Sequence, residues 1–472
     1  VFNMSSAQLL RFAPMIAPVM HRVNVYTHFF FVPNRILWDG FETFINGGED
    51  GADNRIFPYI NRDLDDLDIG SIADYLGIPV DYTNRDLEFS ALPFAAYGKI
   101  YNEYYRDQNL VDEVDVSLID GDNDGRPIWD MPEQDCFKRA WQHDYFTSCL
   151  PFTQKGAQAT IPLGQTAPII NNPDITSPQI LRRVSDSAQL SGVNLETIVG
   201  GTLTGDGVGA DTAWLDPNGS IVADLSTATA AGIIDLRRAF KLQEWLELNA
   251  RGGSRYTETI LAHFGVKSSD ARLQRPEFLG GATSTVKFSE VLQTSANDTE
   301  PTPQGNMAGH GINMGSNGLI RHFSEEHGYI IGIMSVMPKT AYYQGLHRHW
   351  SRWDKFDYYW PAFAHIGEQA VKNKEIYIDT DNSVQEGTFG YIPRYAAYKF
   401  LPSTVHGEFR TSLDFWHMGR KFANQPQLNA DFINCDATTR IFAVEQGEQL
   451  YAHIHHKIKA QRRMPYFGNP KM

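Results

Sequence analysis

The chain has 472 residues, 42% of them hydrophobic, with 39 Gly, 24 Pro and a net charge of −15. That length allows two or three ordinary domains, or one all-β domain with long insertions, and Gly and Pro scattered throughout exclude a long helical bundle. A protein devoted to reading nucleic acid is usually basic, so any contact with DNA here must be local.

Three cysteines, Cys136, Cys149 and Cys435, are too few for a disulfide framework, and no CxxC spacing offers a zinc site. Such usage fits synthesis in a reducing cytoplasm. No apolar run has the length that spans a bilayer and no signal-peptide pattern opens the chain, so no membrane insertion is expected. The first residue is Val1 rather than Met, which predicts a trimmed or processed sequence.

In chain order, residues 19–32 read as a strand. Val19, Val23, Val25, Phe29 and Phe31 share one face, Arg22, Asn24 and His28 alternate to the other, and Pro33 ends it. Residues 46–90 are polar and Gly-rich, hence loop with short pieces of structure. Pro93 opens a predicted helix along which Phe94, Tyr97, Tyr101 and Tyr104 repeat at helical spacing. An acidic loop follows over residues 112–135. Residues 144–163 read as strands broken by Pro151 and Gly156.

Residues 164–232 differ in character: Trp214 is their only aromatic, and seven acids face two arginines. They hold too few large apolar side chains for a core of their own. The segment reads as an inserted surface module resting on a neighbour, dividing the chain into 1–163, 164–232 and 233–472. A helix capped at Asp235 is expected to bury Leu236, Ala239, Phe240, Leu246 and Ala250, with Leu242 and Trp245 widening that face. It stops at Gly252 and Gly253. A second helix runs from Tyr256 to Phe264 and ends at Gly265. Residues 295–318, rich in Gly, Asn, Pro and Thr, read as loop.

Residues 329–337 (YIIGIMSVM) are nearly continuous apolar, which predicts a strand covered on both faces. Residues 345–377 are aromatic and irregular, and residues 388–416 read as further strands and turns. Residues 450–458 alternate, with Leu450, Ala452, Ile454 and Ile458 on one side and Tyr451, His453, His455 and Lys457 on the other. No internal repeat is present. Short strands, long connections and a few helices make the chain mainly β, an antiparallel β-sandwich or jelly roll with loop and helical insertions.

Chemical candidates are few. DGDNDG at residues 120–125 opens like a calcium loop, with Asp120, Asp122 and Asp124 at alternate positions. Its twelfth position should be a bidentate Glu, but Met131 stands there and Glu133 comes two residues late, so an acidic solvated turn is the favoured reading. His347 and His349 form an HxH pair near Asp354 that a strand could present to one metal, as in small jelly-roll oxygenases, but no third ligand is identifiable. No nucleophile elbow, phosphate loop or HExxH occurs, so no catalytic constellation and no cofactor is expected. The C-terminus is locally basic. After Glu448 there are no acids, while Lys457, Lys459, Arg462, Arg463 and Lys471 stand among His453, His455, Tyr466 and Phe467. Cations beside aromatics suit single-stranded nucleic acid.

Several blocks carry a resemblance: HFFFVPNRILWD at residues 28–39, NARGGSRYTETILAHFGV at 249–266, DARLQRPEFLGG at 270–281, the long stretch 327–377, FGYIPRYAAYKFLPS at 389–403 and LDFWH at 413–417. In this order they resemble major capsid proteins of the Microviridae, most closely the gokushovirus branch. Only 27 residues precede the first block, where family members carry a longer arm. The resemblance implies an eight-stranded viral jelly roll with large insertions, sixty copies of which form a simple icosahedral (T=1) shell around circular single-stranded DNA. It further implies a virion location after assembly in the bacterial cytoplasm. The implied partners are other copies of the chain, the DNA, a small DNA-binding packaging protein, a pilot protein and a host receptor. Residues 164–232 sit where the family's variable insertion forms a threefold protrusion, the expected site of host attachment. Subunit contacts are expected from the aromatic run, at Tyr342, Tyr343, Trp350, Trp353, Tyr358 and Trp360, because buried aromatics anchor interfaces. Two other classes remain open at this stage: a metal-dependent jelly-roll enzyme using His347 and His349, and a carbohydrate-binding β-sandwich.

Overall fold

The computed structural model describes residues 1–49, 51–83, 85–159, 233–295, 304–444 and 447–462, and between 160 and 232 the backbone of six short strands. Two compact units emerge, residues 1–155 together with 247–472, and residues 156–246.

The larger unit is built on two antiparallel sheets. Strand β1 (Phe2–Phe12) and strand β2 (Val23–Pro33) follow each other in sequence but lie in different sheets. A small hairpin, β3 (Tyr59–Asp63) with β4 (Asp86–Ser90), leads into helix α1 (Leu92–Ile100), which continues as a π-helical turn over Tyr101–Tyr105. Helix α2 (Ile233–Gly252), which belongs to the smaller unit up to Leu246, and helix α3 (Tyr256–Phe264) come next in sequence, closed by Gly253 and Gly265 at positive φ. Five more strands join the two sheets: β5 (Glu277–Thr285), β6 (Lys287–Leu292), β7 (Met307–Ser316), β8 (Ile320–His322) and β9 (Gly328–Pro338). A separate pair, β10 (Glu368–Lys372) and β11 (Thr388–Pro393), and the final strand β12 (Leu450–Ala460) end the list of main elements.

The first sheet runs β6–β7–β1, with β8 extending β7's side of β1 and β12 paired along β1 over its whole length. The second runs β5–β2–β9. The chain crosses between them at Val286, which separates β5 from β6 and donates its N–H to the Val23 carbonyl. A bulge between Phe278 and Gly280 interrupts the register of β5 with β2. The arrangement is a mainly β, antiparallel sandwich.

Burial on β2 shows why the layers stack. Val23, Val25 and Phe29 face the first sheet, where Leu10, Phe12, Met4 and Ile320 meet them. The alternate face, expected to be polar, is buried as well. Phe30 and Val32 pack against Ile60, Phe94, Ile100 and Tyr105 of a third, mostly helical layer. His28 stacks on Tyr105, with Nδ1 at 2.8 Å from its hydroxyl, and burial pushes this imidazole down from the ordinary value to about 4, with the Arg139 charge adding to the effect. Arg139 itself lies over Tyr26 and Tyr105, at 4.8 and 5.2 Å from their ring centres. A second apolar cluster, with Phe146, Tyr342, Ile376, Phe389 and Phe432, holds β10 and β11.

Three expectations from sequence change here. Residues 307–316, read as loop, form β7 in the middle of the first sheet. Their glycines are there for close approach: a Cβ on Gly309 would lie 2.2 Å from the Ala17 carbonyl, and one on Gly311 would lie 3.0 Å from Phe12. Residues 144–159, part of the stretch read as broken strands, form a turn and bends; the turn at 145–148 is set by the Asp144 carboxylate, which accepts bonds from the N–H groups of Phe146 and Thr147, both at 2.8 Å. Helix α2 buries Ala250, but Phe240, Leu242 and Trp245 are exposed. The strand expected over 329–337 is β9, and its two faces pack on the two sides of the second sheet, as its continuous apolar pattern requires.

In the smaller unit the described backbone is a set of nested antiparallel pairs. Ile169–Asn171 pairs with Ile221–Ala223, Leu181–Arg183 with Ala213–Leu215, and Leu195–Thr197 with Leu203–Gly205. The rest of residues 164–232, read from sequence as a surface module, lies outside the described residues.

The tight contact at Gly309 gives a direct expectation. Gly309→Ala should destabilise the chain by roughly 1–3 kcal/mol through overpacking against Ala17, whereas Gly318→Ala, where a Cβ meets nothing within 4 Å, should cost much less. Denaturant unfolding of both variants measures the difference, and equal costs would refute the packing account.

Candidate assembly and nucleic-acid surfaces

The aromatic run divides on the strength of burial. Tyr342 and Tyr343 are each 6% exposed. The Tyr342 hydroxyl donates to Asp144 Oδ2 at 2.8 Å, and its ring meets Phe146 edge-on at 4.8 Å, so this residue serves the second cluster of its own chain. Tyr343 offers its carbonyl to Arg410 and its ring edge to His417. Trp350, Trp353, Tyr358 and Trp360 stand outside, Trp353 at 85% exposure.

Short 3₁₀ turns hold this exposed group in place: Arg348–Ser351, Lys355–Asp357 and Pro361–Phe363. Asp357 Oδ2 accepts from the backbone N–H groups of Trp353 and Asp354, both at 3.0 Å. Those two bonds hold the Asp357 carboxyl below the usual carboxylate range, the Asp354 contact contributing most. Trp360 donates from Nε1 to the Lys355 carbonyl at 2.8 Å, and Arg394 donates to the Phe356 carbonyl at 2.7 Å. Arg352 lies over Tyr398 at 4.1 Å and over Tyr358 at 5.8 Å. Large apolar rings displayed on a frame of backbone bonds lose little freedom on docking. Sequence reasoning missed Asp357, although an acid three residues after Asp354 at a turn is a capping signal.

His347 and His349 approach each other, Nδ1 to Nδ1 at 2.5 Å, but on a 3₁₀ turn rather than on the strand that the HxH spacing suggests. Asp354 serves the next turn. Among the described residues no three His, Cys, Asp or Glu side chains come together as metal ligands.

The acidic loop is organised by a residue that sequence reasoning passed over. Asn123 is fully buried; its Oδ1 accepts from Ile119 N–H at 3.0 Å, and its Nδ2 donates to the carbonyls of Gly121, Tyr59 and Ile119 at 2.9, 3.2 and 3.3 Å. Asp120 accepts from Trp38 Nε1 at 2.8 Å, and Asp122 accepts from the Asp124 N–H at 3.2 Å. Met131 lies in the main core, and Glu133 is taken by Arg62. Two of the three carboxylates that a calcium loop would use, Asp120 and Asp122, thus accept from protein donors, and the closing position holds Met131.

Of the basic C-terminal residues, Lys457 and Lys459 are exposed on β12, sharing a face with Tyr451, His453 and His455. Arg462 lies over the Phe2 ring at 5.5 Å. Arg463 and Lys471 lie outside the described residues. The alternation read over 450–458 is the alternation of this strand, and all of its residues are exposed.

No helix among the described residues is long and apolar enough to cross a membrane. A family model described as "Capsid protein (F protein)" matches residues 1–472. The chain is 40% identical over 445 residues to capsid protein VP1 of Bdellovibrio phage phiMH2K, covering 91% of this chain and 81% of that one. It is 36% identical to capsid protein VP1 of Spiroplasma virus 4 and 34% identical to that of Chlamydia phage 1, in both cases over 99% of this chain and about nine-tenths of the relative.

The network around Asn123 separates a structural loop from a metal site. Asn123→Ala should cost roughly 1–3 kcal/mol, the price of leaving buried backbone groups unpaired, while Asp122→Asn and Asp124→Asn stay near neutral. Calcium should leave the melting temperature of the parent chain unchanged. A calcium-induced rise that Asp122→Asn removes would reverse the assignment.

Proposed function

The chain belongs to the capsid protein (F protein) family of Microviridae phages, and from that premise we propose that sixty copies of it close a simple icosahedral shell through the exposed aromatic segment between Trp350 and Trp360. It is a structural capsid protein of the virion, not an enzyme. The observation that carries the proposal is the rigid display of Trp350, Trp353, Tyr358 and Trp360, four large rings that no core requires. Interface hot spots favour such residues, and a standing contact of this kind typically buries on the order of 2,000 Å². Tyr342 and Tyr343, both buried within the chain, are left out of this contact.

The sandwich is read as an eight-stranded viral jelly roll in which the small hairpin, the helices and the β10–β11 pair are insertions. Residues 164–232 are read as the threefold protrusion and the site of host attachment. The nested strand pairs support this reading, because a long hairpin can project from a shell and vary at its tip. Circular single-stranded DNA is the proposed cargo, with Lys457, Lys459, Arg462, Arg463 and Lys471 contributing to its contact. A small packaging protein, a pilot protein and a host receptor are the further proposed partners, and assembly is placed in the bacterial cytoplasm.

Trp350→Ala and Trp353→Ala should fold with stability within about 1 kcal/mol of the parent, as exposed sites do, but give few particles by electron microscopy. Variants that fail to fold, or that assemble normally, would reject the aromatic segment as the contact. Deleting residues 170–228 should leave particles that form but do not adsorb to host cells. Normal adsorption would remove the protrusion from host recognition.

A further inference from the structure

The register of the first sheet sorts its charges completely. Strands β1, β6, β7, β8 and β12 contain five lysines and arginines in all: Arg11, Lys287, Arg321, Lys457 and Lys459. On β1 the even residues Met4, Leu10 and Phe12 point into the sandwich core, so the odd residues point away from it. Arg11 is odd and pairs with Tyr451 on one side and Ile312 on the other; Ile312 in turn pairs with Lys287. Asn3 pairs with Lys459 and with Arg321, and Ser5 pairs with Lys457. Directly paired residues share a face, so all five cations stand on the outer one, and all five are exposed. None of them makes an ion pair with a described residue. The single acid of these strands, Glu290, pairs with Gly309 and alternates to the opposite face.

The same outer face carries rings. His453 pairs with Leu9, His455 with Ala7 and His310 with Ser289, while Tyr451 stands at 54% exposure beside Arg11. In a chain with 56 acids and a net charge of −15, the five strands thus place no carboxylate on this outer face. At about 4.8 Å between neighbouring strands and roughly 3.3 Å per residue along them, the cations spread over a surface tens of ångströms long. That is a footprint for a polyanion with flat groups to stack, rather than for a small anion.

We propose that the outer face of this five-stranded sheet is the surface that meets single-stranded DNA, so that the contact extends beyond the C-terminal segment to Arg11, Lys287 and Arg321. This rests on the reading of the shell as a DNA container, and it fixes which side of the sandwich faces inward. Phosphates are neutralised by the five cations, and exposed bases stack on Tyr451 and the histidines.

The test measures binding of a short oligothymidylate by the full chain as salt is varied. Each cation in contact adds roughly 0.7 to the slope of log affinity against log salt. The triple variant Arg11→Gln, Lys287→Gln, Arg321→Gln should lower that slope by about 2 and weaken binding on the order of 100-fold near physiological salt. Lys138→Gln, outside the sheet, should change neither. Ala7→Lys, at an exposed outer position between His455 and Ser316, should raise the slope and tighten binding, an arm that does not depend on tolerating three losses. If the parent binds and the triple variant and Ala7→Lys both match its slope, the sheet face is overturned while the DNA shell stands. If the parent itself fails to bind oligothymidylate and its particles hold no DNA, the underlying reading fails and the sheet-face assignment with it.

Discussion

Strand β2 must be covered on both faces, and the architecture of the larger unit follows from how that is done. Its eleven residues leave only His28 short of full burial. On one side the first sheet supplies Leu10, Phe12, Met4 and Ile320; on the other the helix α1 layer supplies Phe94, Ile100 and Tyr105. A strand in that position needs polar groups on its second face to find partners in the covering layer. On that second face His28 meets the Tyr105 hydroxyl of the covering layer and Asn24 donates to the Tyr26 hydroxyl of its own strand at 3.2 Å, while on the first-sheet face Thr27 donates to Gln8 of β1 at 2.5 Å. The π-helical turn at Tyr101–Tyr105 belongs to the same solution, since Tyr104 and Tyr105 both reach Phe30 from it.

What could be read from sequence was whatever shows as periodicity. The 3.6-residue repeat from Phe94 to Tyr104, the apolar run of β9 and the alternation of β12 all match their elements. Glycine defeated the same approach in β7. Gly309 and Gly311 look like turn residues in a list, but each faces a neighbour that leaves little or no room for a side chain, Ala17 and Phe12, and those neighbours lie about three hundred residues away in sequence. Asp144 and Asn123 were missed for a related reason: a carboxylate or amide that replaces a backbone partner leaves no periodic trace. At the candidate surfaces, composition found the aromatic run but could not divide it. Tyr342 and Trp353 are equally apolar, and only the position of Asp144 and Phe146 decides that one is core and the other surface.

The two proposed working surfaces differ in the physics that suits them. Around Trp350–Trp360 the rings are large, few and fixed by backbone bonds, which favours tight docking of one rigid body on another. On the first sheet the charges are spread and unpaired, and long lysine and arginine side chains are free to follow an irregular strand. A net negative charge elsewhere then helps twice, by keeping particles apart in solution and by disfavouring polyanion contact away from a sheet face whose strands place no carboxylate outward.

Strand β12 is where these demands meet. It is exposed along its whole length on both faces, with Leu450, Ile454 and Ile458 on the core side and Lys457 and Lys459 on the other. An edge strand with an apolar face invites uncontrolled pairing with other chains, and lysine on such an edge is a recognised protection. Here the two lysines serve that purpose before assembly and, by the sheet-face reading, meet phosphate after it. Because all eleven of its residues are exposed, β12 draws its order from its eleven-residue register with β1 rather than from burial. Charge on the outer face can therefore change without disturbing the core, whereas a charge placed at Leu10 or Phe12, one residue out of phase, would enter the sandwich itself.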